Sequence, residues 1–147
     1  ATPPQRFRGD PLTNLEIINR SGIDHICLAG ASAELWKDAL NSATCIVDAI
    51  LGTGTTGVAR GDSKAAIDSI LARIKIDPRP HVVSVDVPSG FDCDSGTPCG
   101  SCVQADDTLT FVASKQGFTT TDVSLYTGRI QIIDIGVPQV VRDRFGL

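Results

Sequence analysis

Two rhythms of apolar residues alternate along the chain. Leu12, Leu15 and Ile18 recur at helical spacing, with Ile17 beside that stripe. Asp10 as N-cap, Pro11 at the first helical position and Gly22 as a stop frame a first helix. The short apolar run at 25–29 (H-I-C-L-A) predicts a strand. Ser32 then caps a second helix whose apolar face is Leu35, Trp36, Ala39 and Leu40. Residues 44–51 (T-C-I-V-D-A-I-L) are almost continuously apolar, the pattern of a strand covered on both faces. After a glycine-rich stretch, Asp62 or Ser63 caps a helix with Ala66, Ile67, Ile70, Leu71 and Ile74 on one face, ended by Pro78. Further strands are predicted at 81–86, 108–112 and 130–135. No clear helix separates the last two, so that end of the sheet is free to pair differently. Strands alternating with helices imply right-handed crossovers, hence a Rossmann-like three-layer α/β sandwich with a mostly parallel sheet. No repeat or linker divides residues 1–147, so they read as one domain. The pattern opens on a helix, without the strand and phosphate loop that usually begin such a fold, as if the domain were entered part-way.

Composition narrows the function classes. The chain has 147 residues and a formal net charge of −4, with its 13 Lys and Arg scattered rather than gathered on one face. That disfavours nucleic-acid binding. No apolar run reaches membrane-spanning length, and residues 1–8 lack the apolar segment of a signal peptide. Five cysteines without such a signal favour reduced thiols and a cytoplasmic location. Cys27 and Cys45 lie in apolar runs and are expected in the core. Cys93, Cys99 and Cys102 form a C-x5-C-x2-C group without a fourth metal ligand nearby, and read as a small-residue loop.

Three places carry candidate chemistry. Gly52-Thr53-Gly54-Thr55-Thr56-Gly57 matches G-x-G-x-x-G after a predicted strand, where backbone N–H groups can approach a phosphate. It departs from the dinucleotide fingerprint: the helix does not open inside it, and no ribose-binding acid follows about twenty residues on. Asp48 sits inside an apolar strand, so it is either satisfied by neighbouring N–H groups or offset by a cation. Asp86-Val87-Pro88-Ser89-Gly90 makes a sharp turn that presents Asp86 and Ser89 at the carboxyl edge of the sheet, where open parallel sheets bind ligands. Lys115, past the strand at 108–112, either stays solvated or meets an anionic group from that edge. Asp92, Asp94, Asp106 and Asp107 read as turn acids, Trp36 as a core or interface residue. His25 and His81 sit at strand starts, away from the site edge.

Taken together, these strings resemble a known family. V-D-A-I-L-G-T-G at 47–54, S-V-D-V-P-S-G-F at 84–91, A-D-D-T-L-T-F at 105–111, S-K-Q-G at 114–117 and I-D-I-G-V-P at 133–138 are similar to the YjeF N-terminal domain, the NAD(P)H-hydrate epimerases. The resemblance implies an isomerase that interconverts the R and S forms of hydrated NADH or NADPH, repairing the cofactor with a fused or separate dehydratase. It implies substrate contacts from Gly52, Thr53, Gly54, Thr55, Thr56, Gly57 and Val58, from Asp86 as the catalytic group, and from Lys115. It further implies a potassium ion held by Asp48 and Ser89, and a homodimer. The family's opening strand and its G-N-N-G-G-D-G loop have no match here, which reads as a domain truncated at its N-terminal side. Two other readings compete: a non-catalytic binding or dimerisation module of the same type, and an ordinary Rossmann nucleotide binder.

Overall fold

The computed structural model describes residues 7–55 and 57–146. Its centre is a four-stranded sheet built from β1 (Cys45–Asp48), β2 (His81–Val85), β5 (Asp107–Phe111) and β6 (Arg129–Ile133). They lie in the order β1-β2-β5-β6, and every pairing is parallel. A two-stranded antiparallel excursion, β3 (Phe91–Asp92) with β4 (Thr97–Pro98), leaves the sheet after β2. The helices are α1 (Asp10–Ser21), α2 (Ala33–Leu40), α3 (Gly61–Arg73), α4 (Ser124–Thr127) and α5 (Gln139–Phe145). The expected α/β class with a parallel sheet is therefore observed. Its far end is resolved too: a 3-10 turn at Gln116–Thr119 and the short α4 carry the chain from β5 to a parallel β6.

Apolar periodicity fixes the packing. α3 turns Ala66, Ile67 and Ile70 inward, where Ile67 is fully buried against Ile46, Val82, Val103 and Ala105. Burying a side chain such as Ile67 or Val82 contributes about 1.5–3 kcal/mol. Val87, Phe91, Cys102 and Phe118 form a second cluster, with the Phe91 ring 6.2 Å from Phe118 and 5.8 Å from Tyr126. Arg73 ties the helix ends together. Its buried guanidinium donates to the carbonyls of Leu40, Ala43, Ile76 and Pro78 at 3.0–3.2 Å.

Several expectations are corrected. Residues 23–28 run without regular structure and pair with no strand among the described residues, although β1 is an edge strand; Cys27 is exposed rather than core. Cys45 is exposed as well. Side chains alternate along β1, so Ile46 and Asp48 point into the packed face while Cys45 and Val47 point to the other, where Val47 is 63 % exposed. The strand therefore is not covered on both faces, and it ends at Asp48 rather than 51. Gly9 caps α1, with Asp10 already helical. Neither Asp62 nor Ser63 caps α3, whose N-cap is Arg60; the Asp62 carboxylate instead accepts from the Gly30 N–H at 2.9 Å. Ser32 does cap α2 through the Leu35 N–H.

Candidate active site

The carboxyl ends of β1, β2 and β5 are neighbours, so the loops that follow them share one rim of the sheet. Asp48 closes β1 and has no exposed surface. Its Oδ1 accepts from Ser89 Oγ at 2.5 Å and Ile50 N at 3.3 Å. Its Oδ2 accepts from Ser89 N at 2.8 Å and Ser84 Oγ at 2.9 Å. Four neutral donors thus satisfy the carboxylate, and among the described residues no basic side chain pairs with it. Ser89 links the two loops. Its hydroxyl accepts from the Leu51 N–H at 2.9 Å and lies 3.3 Å from the Leu51 carbonyl.

Asp86 ends β2 in the left-handed region, φ 69°, a conformation rare for a residue with a side chain. Its N–H donates to Leu109 O at 2.8 Å, and its Oδ1 takes the Lys115 ammonium at 2.8 Å and the Thr110 hydroxyl at 3.3 Å. Lys115 Nζ also donates to the Phe111 carbonyl at 3.3 Å. Both partners of the ion pair remain about one-fifth exposed, with side-chain values of 22 % and 21 %.

Beside this pair lies a cleft between the glycine loop (Gly52, Thr55, Gly57) and the turn after β2 (Val87, Gly90, Phe91), with Asp92 and Cys99 in its wall. Asp48, Asp86 and Lys115 do not line it, although Asp86 directly precedes Val87, which does. Gly90 is obligatory. Its φ is 91°, and a Cβ there would stand 2.1 Å from the Ser101 carbonyl oxygen. Gly52 and Gly54 differ, since a Cβ on either would meet nothing within 4 Å. Internal packing gives no reason for glycine at those two positions. Thr53 and Val58 are exposed on the same loop, while Thr56 lies outside the described residues.

Other candidates serve the local structure, Asp92 among them although it lines the cleft. Asp92 is a turn acid, accepting from Asp94 N at 2.9 Å and Ser95 N at 3.3 Å, and these bonds hold its carboxyl below the usual range. Asp106 and Asp107 do more than turn the chain. At the amino end of the strands Arg79 pairs with Asp106, while His81 and Arg129 pair with Asp107, all at 2.7–2.8 Å. His81 is thus remote from the rim, as expected. No group of three or more His, Cys, Asp or Glu among the described residues is arranged to hold a metal ion. Burial pushes the Cys102 thiol up to about 12, helped by the Asp48 charge and by Cys99.

Sequence reasoning missed Ser84 and Thr110, which hold the two carboxylates. A signal existed: each is a polar residue at an inward-facing position of its strand, in phase with Val82 and Thr108.

Comparison with known proteins agrees with this architecture. The family model described as YjeF-related protein N-terminus matches residues 1–117. An NAD(P)H-hydrate epimerase of Pirellula staleyi is 38 % identical over 143 residues, covering 97 % of this chain and 61 % of that protein. A bifunctional NAD(P)H-hydrate repair enzyme Nnr of Moorella thermoacetica is 40 % identical over 137 residues, covering 92 % of this chain and 25 % of its own length. The chain therefore spans about a quarter to three-fifths of these relatives. The crystal structure of yeast ynu0 shares the fold, with TM-score 0.69 and 20 % identity over 92 % of this chain and 54 % of that one. With its motifs in order along one rim and the family model matched over most of its length, this chain belongs to the YjeF-related N-terminal family.

Proposed function

We propose that the intact protein is an NAD(P)H-hydrate epimerase, an isomerase of nicotinamide-cofactor repair. The observation that carries this is Asp86, held in a left-handed turn by Lys115 and Thr110 beside a cleft whose outer wall is glycine backbone. The glycine loop, Gly52 to Val58, suits the approach of a dinucleotide phosphate. The relatives' names support the substrate class.

The chemistry follows from the substrate. The hydrated ring carbon bears a hydroxyl next to nitrogen, and inversion requires that hydroxyl to leave and return on the other face, or the ring to open and close. Either route develops positive charge at the ring and moves a proton at oxygen. The Asp86 carboxylate supplies both needs, as proton carrier and as counter-charge. Lys115 keeps one carboxylate oxygen in place and leaves the other free to face the substrate.

A potassium ion fits the donor set under the rim. Asp48, the Ser89 hydroxyl and the Leu51 carbonyl offer only oxygen, the buried carboxylate carries a charge that no basic residue offsets, and a hard cation favours such ligands. Asp48 and Ser89 would hold it, and it would supply neutralisation of the Asp48 charge. The bifunctional relatives make a fused or separate NAD(P)H-hydrate dehydratase the natural partner. A homodimer in the cytoplasm completes the proposal; no helix among the described residues is long and apolar enough to cross a membrane.

Asp86→Asn in the intact protein tests the reading. Exchange between the two hydrate epimers, followed by chromatography, is expected to slow by about 10²–10⁴-fold. Unchanged exchange in a folded variant removes Asp86 from the mechanism.

A further inference from the structure

The C-x2-C at Cys99-Gly100-Ser101-Cys102 takes no part in the proposed epimerisation, yet it is built into the wall of the cleft. The Cys99 N–H donates to Gly90 O at 2.8 Å, and the Val103 N–H donates to Ser89 O at 2.9 Å. Those two acceptors belong to consecutive residues, so both ends of the Cys99–Val103 segment are tied to the same turn. The loop between them, bent at Gly100 with φ 81°, is therefore pinched at its base. Both cysteines also border the same two side chains: Cys99 lines the cleft with Val87 and Phe91, while Cys102 packs in the buried cluster with them. Cys99 is partly exposed and Cys102 is buried. Gly100 lies against Val58 at the end of the glycine loop, where an added Cβ would stand 3.0 Å from Val58 Cγ1.

We propose that Cys99 and Cys102 form a reversible dithiol–disulfide pair that low-molecular-weight disulfides reach at the partly exposed Cys99, and that its closure displaces the glycine loop through Val58. The Cys99 thiolate attacks one sulfur of the small disulfide, giving a mixed disulfide and releasing one small thiolate. Cys102, brought out of its buried cluster as the loop opens, loses its proton to solvent and attacks the Cys99 sulfur, which expels the second small thiolate; solvent protonates both small thiolates. Two protein thiols become one disulfide, and one small disulfide is reduced to two thiols. To cross-link, Cys102 gives up its bond to the Val103 carbonyl, 3.4 Å, and the loop narrows beneath Val58. The effect on nucleotide binding rests on the epimerase reading; the thiol chemistry does not.

The test equilibrates the intact protein in glutathione buffers of rising oxidised fraction, then traps free thiols by alkylation. Peptide mass mapping is expected to find one internal disulfide joining Cys99 and Cys102, reversed by dithiothreitol. Amide exchange at Val103 and Val58 changes in step, and NADPH-hydrate affinity falls by about fivefold or more. Cys99→Ser shows no cross-link and an affinity indifferent to the buffer, whereas Cys102→Ser stops at the mixed disulfide on Cys99. A link through Cys93, no link at any ratio, or a link that leaves both amides unchanged overturns the proposal. Reduced protein that binds no hydrate instead sinks the epimerase reading, while the mass map and amide exchange still decide the dithiol pair.

Discussion

Asp48→Asn probes the connection that fastens the two loops. Each carboxylate oxygen accepts one hydroxyl and one backbone N–H. A hydroxyl can turn round and accept from an amide NH2, but a backbone N–H cannot. Whichever way the Asn amide flips, its NH2 therefore faces one backbone donor. The less costly flip places it on the Oδ1 side, which sacrifices the 3.3 Å bond from Ile50 and keeps the 2.8 Å bond from Ser89. Ser89 Oγ can still serve there, accepting from the amide and from Leu51 N while donating to Leu51 O. One orphaned N–H and weaker, neutral bonds at the other oxygen cost about 1–3 kcal/mol, partly offset by removing a buried charge. Asp48→Ala orphans both backbone donors and opens a cavity, so its cost rises to about 4 kcal/mol or more. Urea unfolding monitored by far-UV circular dichroism reads both as midpoint shifts at constant slope. The proposed cation adds a second arm: potassium is expected to raise the wild-type midpoint over equal tetramethylammonium, and to leave that of Asp48→Asn unmoved. Asp48→Asn indistinguishable from wild type, or Asp48→Ala no worse than Asp48→Asn, would refute the hydrogen-bond reasoning.

The other predictions address single terms. Gly90→Ala must adopt φ 91° with its Cβ 2.1 Å from Ser101 O, so it is expected to lose more than about 4 kcal/mol by the same urea assay. Gly54→Ala meets nothing within 4 Å, and is expected to hold or slightly raise stability while weakening NADPH-hydrate binding in calorimetry; equal binding would remove the loop from the site. Lys115→Ala is expected to change the unfolding midpoint by less than about 1 kcal/mol, since the pair is partly solvated, and to lower kcat more than it raises KM. An acid limb should begin below about pH 4. Asp107 is lowered chiefly by the Arg129 hydrogen bond, then by His81 and Gln131, against a rise from burial. For Asp106 burial is the largest influence and raises it, but the bonds from Arg79 and Val82 N–H outweigh that and leave it lowered. Depressed folded values give stability that is full above the unfolded value and lost as pH falls through the folded one. Arg129→Ala should therefore move the acid-unfolding midpoint to higher pH; an unmoved midpoint would dismiss this network.

Much of the rim was legible because local rules govern it. A carboxylate in an apolar strand, a Pro-Ser-Gly turn and a glycine run each announce themselves within a few residues, and the parallel order of strands puts them at one edge. What escaped depends on pairs distant in sequence. Ser84 reaches Asp48 across 36 positions and Thr110 reaches Asp86 across 24, and neither distance is written in a motif. The misread strand at 25–29 has a different cause. An apolar run becomes a strand only if it docks on a ladder, and among the described residues the 25–29 run docks on none, though the outer edge of β1 is open. Cys45 and Val47 mislead for a similar reason: alternation gives a residue's face, not what covers that face.

The register makes the rim's cost visible. Asp48 stands opposite Ser84, and Ser84 opposite Thr108, so this row is polar and fully buried across β1, β2 and β5. Two residues earlier the same face carries Ile46 and Val82. The packed face thus changes from apolar to polar towards the carboxyl ends of the strands. Each group in the polar layer has its partner: Ser84 on Asp48, Thr108 on the Thr127 carbonyl at 2.7 Å, Thr110 on Asp86. Apolar residues of similar volume would pack there without any desolvation cost, and such replacements are often neutral or stabilising. A layer that gives up packing energy yet leaves no side chain unpaired fixes the directions of two carboxylates, Asp48 and Asp86. Fixed direction adds little to folding, and it is what the proposed proton carrier and the proposed cation ligand would require of the sheet.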